Sequence, residues 1–271
     1  MERSLGLMCG AGELPALMMA QARQQGWRVV AFAFAPLADG VAGGAARVVP
    51  SRISEMAPVI AALQAEKITG VLFSGKFWMG DLLHADKVDA AHEAMAARAG
   101  GLLGGNVKDV LLATLAGMGI ELLDQRPFLG EGLPSERVLG ARTPSDAEWD
   151  DVRRGLEVAR AVARLDIGQT VVVCRGAVSA VEAIEGTTAA VRRGTALSGP
   201  GAVVVKTVGE EHDFRFDVPT IGPETIAAAA EGRATVVAME AGRVFVLDRP
   251  TTTRAADAAG IALVSTRGGA R

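Results

Sequence analysis

The stretch Leu5-Gly6-Leu7-Met8-Cys9-Gly10-Ala11-Gly12-Glu13-Leu14-Pro15 decides the predicted fold of the amino-terminal half. Its first five residues predict a short buried strand and its glycines a tight turn. Pro15 suits the first turn of a helix, which we expect to run to Gln25. This geometry aims free backbone N–H groups at a phosphate. Gly10 and Gly12 are therefore candidate phosphate or sugar contacts; the alternative is a turn that needs glycine for its backbone alone.

The same stretch is a poor dinucleotide fingerprint. Pro15 replaces the third glycine of the G-x-G-x-x-G pattern. The next predicted strand, Arg28–Ala35, ends without an acidic residue that could hold a ribose. An NAD-dependent oxidoreductase is therefore a weaker interpretation than a generic phosphate site.

A second polar turn closes the buried strand that is predicted over Ile68–Ser74. Gly75 and Lys76 follow this strand directly, and open parallel sheets bind ligands at the carboxyl ends of their strands. Lys76 is therefore a candidate phosphate contact, with an ordinary surface lysine as the alternative.

The order of predicted elements indicates an α/β fold in two domains, which suits a length of 271 residues. Residues 1–128 alternate strands and helices, which predicts a Rossmann-like open parallel sheet covered by helices. Residues 129–144 contain several glycines and prolines and are predicted to link the domains. Residues 145–271 are predicted to form a second α/β domain.

Two hairpins are predicted in the second domain. The first joins Thr170–Cys174 to Ala177–Ala183. The second joins Thr235–Met239 to Arg243–Leu247 over the turn Ala241-Gly242.

Composition excludes several classes of protein. Hydrophobic residues make up 49% and charged residues 22%, which is ordinary for a soluble globular chain. A net charge of −3 argues against an electrostatic nucleic-acid binder, and no nucleic-acid partner is expected. Neither the two cysteines nor the three histidines have the spacing of a zinc site. Because no apolar run is long enough to span a bilayer, we expect a cytoplasmic protein.

The stretch Asp213–Gly222 has an unusual concentration of charge. Its first five residues alternate as a strand does, which would place Asp213, Arg215 and Asp217 on one face. Pro219 then ends the predicted strand. Such a face suits a phosphate or metal site, and the alternative is a solvated edge strand.

Several motifs together resemble one family. They are Asp166-Ile167-Gly168-Gln169, Glu182-Ala183-Ile184-Glu185-Gly186-Thr187, Asp217-Val218-Pro219-Thr220-Ile221-Gly222 and the opening Gly6–Pro15. In this order and spacing they resemble the LpxI-type UDP-2,3-diacylglucosamine pyrophosphatases. The chain departs from that family at Thr188, at Val107-Lys108-Asp109 and in the segment Lys206–Asp213.

The resemblance implies a function. Members of that family cleave the pyrophosphate of UDP-2,3-diacylglucosamine to UMP and 2,3-diacylglucosamine 1-phosphate (lipid X), a cytosolic step of lipid A synthesis. The resemblance also implies dependence on Mg²⁺, a homodimer and a lipid nucleotide-sugar substrate, and it leaves room for peripheral contact with the inner membrane. The essential aspartate of the family corresponds to Asp217.

The resulting candidate site has one catalytic residue and a set of substrate contacts. Asp217 is predicted to act as a Mg²⁺ ligand or as the base that orients water. Asp213 and Arg215 either brace Asp217 as an internal pair or contact substrate, and Asp166 and Gln169 either brace the hairpin or bind. The other predicted contacts, each with an ordinary surface or capping role as its alternative, are Gly10, Gly12, Lys76, Glu182, Glu185, Gly186, Thr187, Arg192, Thr220 and Gly222.

Two further expectations concern the substrate. An acyl-binding cleft is expected between the domains, lined in part by Phe77-Trp78-Met79. The altered residues at Thr188 and Lys206–Asp213 motivate an alternative function, a non-catalytic nucleotide-sugar binding or regulatory protein of the same fold.

Overall fold

A computed structural model describes residues 3–77, 88–100 and 107–268. The chain divides into two compact units. The first contains Met1–Gly130 together with Asp213–Asp217, and the second contains Glu131–His212 and Val218–Arg271. The chain therefore leaves the second unit after His212 and enters it again at Val218.

The first unit contains a five-stranded sheet in which all strands pair in parallel, as the sequence predicts. Its strands are β1 (Ser4–Cys9), β2 (Arg28–Ala33), β3 (Arg47–Pro50), β4 (Gly70–Ser74) and β5 (Glu121–Leu122), in the order β3-β2-β1-β4-β5. Its described helices are α1 (Leu14–Gln24), α2 (Asp39–Ala42), α3 (Met56–Ala65), α4 (Ala90–Ala99) and α5 (Val107–Gly117), and a 3-10 turn spans Arg126–Phe128.

The apolar character of β1 explains its central position. All six of its residues are buried, because a central strand of a parallel sheet has neighbours on both sides and helices on its faces. Met8 packs in a cluster with Val59 and Leu63 of α3, while α1 contacts β1 and β2. The Rossmann-like prediction for this part of the chain is therefore confirmed.

The second unit contains a six-stranded mixed sheet. Its strands and helices are β6 (Arg137–Val138), α6 (Asp146–Arg164), β7 (Thr170–Cys174), β8 (Ala177–Val181), α7 (Thr187–Ser198), β9 (Val203–Lys206), β10 (Thr220–Ile221), α8 (Pro223–Glu231), β11 (Val236–Glu240), β12 (Phe245–Val246), α9 (Arg249–Ala258) and β13 (Ala262–Thr266). The sheet order is β6-β13-β11-β9-β7-β8, and β10 and β12 form a separate pair.

Strand directions decide which residues share an edge of this sheet. Strands β9, β11 and β13 are parallel, and β7 is antiparallel to both β9 and β8. The carboxyl ends of β8, β9, β11 and β13 therefore meet the amino end of β7 at one edge. This is the edge at which open α/β sheets bind ligands.

Local sequence explains how α6 begins. Ser145 caps the helix, and it forms a capping box with Glu148, in which each side chain bonds to the other residue's backbone N–H. The residues just before it, predicted as part of a linker, contain β6, which pairs antiparallel with β13 inside the second unit. None of the helices among the described residues combines the length and the apolar character needed to cross a membrane.

The predicted second hairpin is wrong. Strand β12 does not pair with β11 across Ala241-Gly242 but runs parallel to β10. Phe245 N–H donates to the Pro219 carbonyl at 2.8 Å, and Leu247 N–H donates to the Ile221 carbonyl at 2.9 Å. Long-range partners therefore replace the local one that the glycine turn suggested. The first hairpin, β7 with β8, is confirmed.

Candidate active site

The loops after β1 and β4 bind each other through their backbones. Gly10 N–H donates to the Ser74 carbonyl at 2.8 Å, and Ala11 and Lys76 exchange two backbone hydrogen bonds of 2.9 and 2.8 Å. The strand order reverses between β1 and β4, which makes this the topological switch point of the first sheet. The predicted ligand loops therefore lie at the edge where such sheets bind ligands.

Gly10 and Gly12 have different reasons to be glycine. A Cβ at Gly10 would lie 2.4 Å from the Lys76 carbonyl oxygen, so close approach of two backbones already requires glycine there. Gly12 is exposed, has φ +98° and has no atom within 4 Å of its Cβ position. Lys76 is exposed as well. The backbone alternative thus accounts for Gly10, whereas Gly12 and Lys76 stay predicted ligand contacts.

The segment before Asp217 is a turn, and the prediction of a strand there is wrong. Phe216 N–H donates to the Asp213 carbonyl at 3.1 Å, which closes the turn. The Arg215 guanidinium folds back onto the Asp213 carboxylate, with Nη2 2.7 Å from Oδ2. These two residues therefore form the internal pair, and they do not extend a charged strand face. Asp217 is exposed at the end of the turn.

Gln125 holds this turn in place within the first unit. Its backbone N–H donates to the Phe214 carbonyl at 3.1 Å, and its side-chain Nε2 donates to the Arg215 carbonyl at 3.2 Å. Gln125 is itself only 2% exposed. The side chain therefore fixes the backbone two residues before Asp217 from a buried position.

Two acid–arginine pairs flank the turn. The Arg215 hydrogen bonds hold the pKa of the Asp213 carboxyl below its usual value against the opposing effect of burial. Arg126 lowers the pKa of Asp124 in the same way. The Arg126 guanidinium also stacks 4.7 Å from the Phe214 ring centroid. Both carboxylates are ionised and bound to arginine, and Asp217 is exposed just after the turn.

In the second unit, a hydrogen-bonded relay at the carboxyl edge of the sheet joins Lys206, Thr187 and Glu182. Lys206 Nζ donates to Thr187 Oγ1 at 2.6 Å, and Thr187 Oγ1 donates to Glu182 Oε1 at 2.8 Å. Lys206 is 5% exposed and Glu182 is 8% exposed. Glu182 Oε2 also accepts the Gln169 N–H at 3.4 Å, as expected for the bracing alternative for Gln169. A buried ammonium is thus compensated by a carboxylate through one hydroxyl.

Thr170 adds a polar atom to the same face. It lies directly opposite Lys206 in the β7–β9 register, so the two side chains share a face of the sheet. Thr170 is fully buried, and its Oγ1 makes no hydrogen bond to any residue that the structure describes. Buried hydroxyls normally have a partner, so this edge has hydrogen-bonding capacity to spare.

The relay lies at the start of α7, where Thr187 is the first helical residue. Gly186 caps this helix with φ +81° and without a side-chain hydrogen bond, so the first-turn N–H groups have no side-chain cap. Glu185 beside it pairs with Arg193 and accepts the Ala183 N–H at 3.1 Å. Burial alone would raise the pKa of Glu185, but these bonds lower it, so this acid is ionised.

The remaining predicted contacts have local roles in the structure. Arg192 forms an ion pair with Glu231 on the exposed surface, which is the solvated helix charge of the alternative. Thr220 Oγ1 donates to the Val218 carbonyl at 2.8 Å. Gly222 caps α8, and Thr188 Oγ1 donates to Glu224 at 3.2 Å.

A second buried charge lies at the end of β11. Glu240 is 9% exposed, accepts hydrogen bonds from Thr207 Oγ1 and forms an ion pair with Arg160 at 2.7 Å. Arg243 lies 3.9 Å from the same carboxylate. The edge of the second sheet therefore carries several buried charged side chains.

The described residues contain no group of three or more His, Cys, Asp or Glu side chains placed to hold a metal ion. Mg²⁺ does not need such a cage, because one or two carboxylates together with substrate phosphates commonly bind it. The exposed Asp217 carboxylate provides the oxygen chemistry that Mg²⁺ prefers. The donor set therefore fits the predicted ion.

The sequence prediction missed Lys206 and Gln125. Each had a weak signal: Lys206 directly follows an apolar run, and Gln125 follows a short strand at a predicted carboxyl edge. Their importance depends on long-range contacts that residue spacing does not contain. Trp78 and Met79, predicted to line an acyl cleft, lie outside the described residues.

Two sheets whose parallel strands end in glycine turns or buried charges define an α/β protein of the kind that binds small ligands at strand ends. The chain belongs to the LpxI family. The model of the LpxI N-terminal domain matches residues 4–131, and that of the LpxI C-terminal domain matches residues 135–264. The resemblance drawn from the motifs is thereby confirmed.

A relative from Caulobacter vibrioides is 34% identical and covers 96% of each chain. That relative is named UDP-2,3-diacylglucosamine pyrophosphatase LpxI. Among solved structures, CobK precorrin-6A reductase aligns with 96% of this chain and 86% of its own at 13% identity, with a TM-score of 0.32. N5-carboxyaminoimidazole synthetase from Staphylococcus aureus covers 65% of this chain and 40% of its own at 15% identity and a TM-score of 0.26. Scores this low carry no argument about fold or function.

Proposed function

We propose that the chain hydrolyses the pyrophosphate of UDP-2,3-diacylglucosamine in a Mg²⁺-dependent reaction that yields UMP and lipid X, a step of lipid A biosynthesis. The observation that carries the proposal is the relative named as a pyrophosphatase for this substrate, which aligns with 96% of the chain. Asp217, at the exposed end of a braced turn, supports it.

Hydrolysis of a phosphoric anhydride requires a positioned water and positive charge near the phosphates. In the proposed reaction Asp217 accepts a hydrogen bond from the attacking water and orients it. When bound, Mg²⁺ held by Asp217 and the substrate phosphates neutralises charge on the reacting group.

Release of UMP from purified protein tests the proposal. UMP should appear with Mg²⁺ and stop when the ion is chelated. Asp217→Asn keeps the shape of the side chain and removes its charge, so we expect UMP release to fall by about 10²–10⁴-fold with little change in unfolding temperature. Asp150→Asn, a change to an acid with a 74% exposed side chain, should leave the rate unchanged.

Equal UMP release by Asp217→Asn and the unmutated protein would refute the catalytic assignment. Tight UDP-sugar binding without UMP release under any divalent ion would instead support a binding or regulatory protein. Thr188, bound to Glu224 where the resembled family commonly has aspartate, is the feature that favours this second candidate. The proposal also includes a homodimer and peripheral contact with the inner membrane, which light scattering and vesicle sedimentation test.

A further inference from the structure

An apolar cavity of about 50 Å³ lies inside the first unit, between the sheet and helices α3, α4 and α5. Buried side chains line its floor, among them Met8, Val71 and Leu115. Half-buried side chains line its rim, among them Met56 and Met95. The cavity therefore extends from the core to a partly accessible apolar rim.

The lining is almost entirely hydrocarbon and thioether. Thr114 is the polar residue among the described lining side chains, and its Oγ1 is occupied by the Val110 carbonyl at 2.7 Å. A cavity with no available polar partner stays dry, because water there would lack hydrogen bonds. The cavity is thus suited to an aliphatic ligand.

Methionine is concentrated at this place. Four of the nine methionines of the chain line the cavity: Met8, Met56, Met95 and Met118. Methionine is unbranched and polarizable, and it adapts to ligands of varied shape. A wall built in this way accommodates a flexible chain better than a wall of β-branched residues would.

The helices around the cavity are tied together outside it. The Asp89 carboxylate accepts the Ala57 N–H of α3 at 2.7 Å and the His92 N–H of α4 at 2.8 Å. His92 Nδ1 lies 2.9 Å from the Ile53 carbonyl oxygen. These bonds fix the amino ends of α3 and α4 relative to each other without placing polar groups inside the cavity.

The turn before Asp217 packs on the apolar cluster that contributes residues to the cavity lining. Phe216 packs against the same apolar cluster as Leu111 and Met118, which both line the cavity. Lys108 Nζ lies 5.9 Å from the centre of the Phe216 ring. The residue next to the predicted catalytic aspartate thus belongs to the cluster that forms the cavity wall, all within the first unit.

We propose that this cavity receives the end of one acyl chain of the substrate and sets the preferred chain length. The inference rests on the proposed function, in which the substrate carries two acyl groups. The volume is about a third of the roughly 150 Å³ of an apolar cavity that admits benzene, so it takes the terminal carbons and not a whole chain.

A series of UDP-2,3-diacylglucosamines with butanoyl to hexadecanoyl chains tests the inference. KM should fall by about fourfold for each methylene that enters the cavity and should stop falling once the cavity is full. Thr114→Leu fills the cavity and should move this limit to shorter chains, while Met95→Ala enlarges it and should move the limit to longer chains. Ala113→Leu adds more bulk than Thr114→Leu does, but at an exposed position of α5, and should leave the limit unchanged.

Calorimetric binding of dodecanoate gives a readout that is independent of hydrolysis. The unmutated protein should bind it, and Thr114→Leu should weaken binding by about tenfold or more while Ala113→Leu does not. An identical chain-length limit in the unmutated protein, Thr114→Leu and Met95→Ala would overturn the inference even if UMP is released normally. Suppose instead that Thr114→Leu weakens dodecanoate binding but no substrate releases UMP. That result would overturn the proposed function and support the cavity as an acyl-binding site.

Discussion

The carboxyl edges of the two sheets are stabilised by different chemical groups. In the first unit the loops after β1 and β4 are joined by backbone hydrogen bonds, and Gly10 permits their close approach. In the second unit the edge is filled by buried charged side chains, including Lys206, Glu182 and Glu240. One edge therefore depends on the absence of a side chain and the other on the presence of charge.

This difference separates two kinds of sequence signal. A glycine-rich turn stands out in a sequence, yet at Gly10 a backbone contact is reason enough for it. A buried lysine at the end of a strand does not stand out, yet it is linked to the buried Glu182 carboxylate through Thr187. A motif that stands out in the sequence can have a purely backbone cause, and a buried charge can lack any motif.

The largest expected effect is at the first edge. Gly10→Ala places a methyl group 2.4 Å from the Lys76 carbonyl oxygen. The nearest atoms belong to the Lys76 backbone, which cannot rotate away as a side chain could. We expect it to lower the free energy of unfolding by about 2–3 kcal/mol, measured by urea denaturation. Gly12→Ala meets no atoms and pays only for its positive φ, so about 1 kcal/mol is expected. Equal losses at both positions would contradict the backbone account of this edge.

The second edge should respond to charge. Lys206→Met keeps the length of the side chain but removes the donor to Thr187 and the positive charge near Glu182. We expect a loss of about 2 kcal/mol in the free energy of unfolding. Adding Glu182→Gln should restore about 1 kcal/mol relative to the sum of the single changes, because the two groups compensate each other. Strict additivity in this double-mutant cycle would mean that the relay is not coupled.

How much of the fold can be predicted from the sequence depends on whether the deciding contacts are local or long-range. The first sheet was predictable because its central strands β1 and β4 are local apolar runs next to a turn signal. The turn at Asp213–Asp217 was not, since Phe214 and Phe216 alternate as in a strand. Two sets of hydrogen bonds favour the turn over a strand. The Phe216 N–H donates to the Asp213 carbonyl, and Gln125 donates to the backbone carbonyls of the turn.

The same limit applies to the candidate site. The motifs predict Asp217, Glu182 and Thr187 as site residues from residue identity and spacing alone. They did not identify Lys206, whose burial arises from strand β9 meeting the start of α7. They also placed Arg192 among the contacts, although its helix face turns it toward Glu231. Side-chain direction in the folded chain, and not residue type, separates these cases.

Gln125 offers a smaller and more specific test of the first unit. Gln125→Ala removes the bond to the Arg215 carbonyl, so we expect a loss of about 1 kcal/mol in stability. Because the turn positions Asp217, kcat should fall about tenfold or more while KM for the proposed substrate stays unchanged. Gln25→Ala is the matched control, since its side chain bonds the Pro127 carbonyl at an exposed place. A fall in stability without a change in kcat would make Gln125 a structural residue only.

The smallest effect concerns the Asp213–Arg215 pair, whose acid has a lowered pKa in the folded protein. A lowered folded pKa stabilises the protein fully above the unfolded-state value of about 3.9, and this contribution is lost as pH falls through the folded value. Asp213→Asn should therefore lower Tm slightly at pH 7, and the difference from the unmutated protein should shrink to nothing in strong acid. Asp150→Asn, within an exposed pair, should change Tm less at pH 7. A difference for Asp213→Asn that persists unchanged in strong acid would show that the carboxylate charge does not hold the turn.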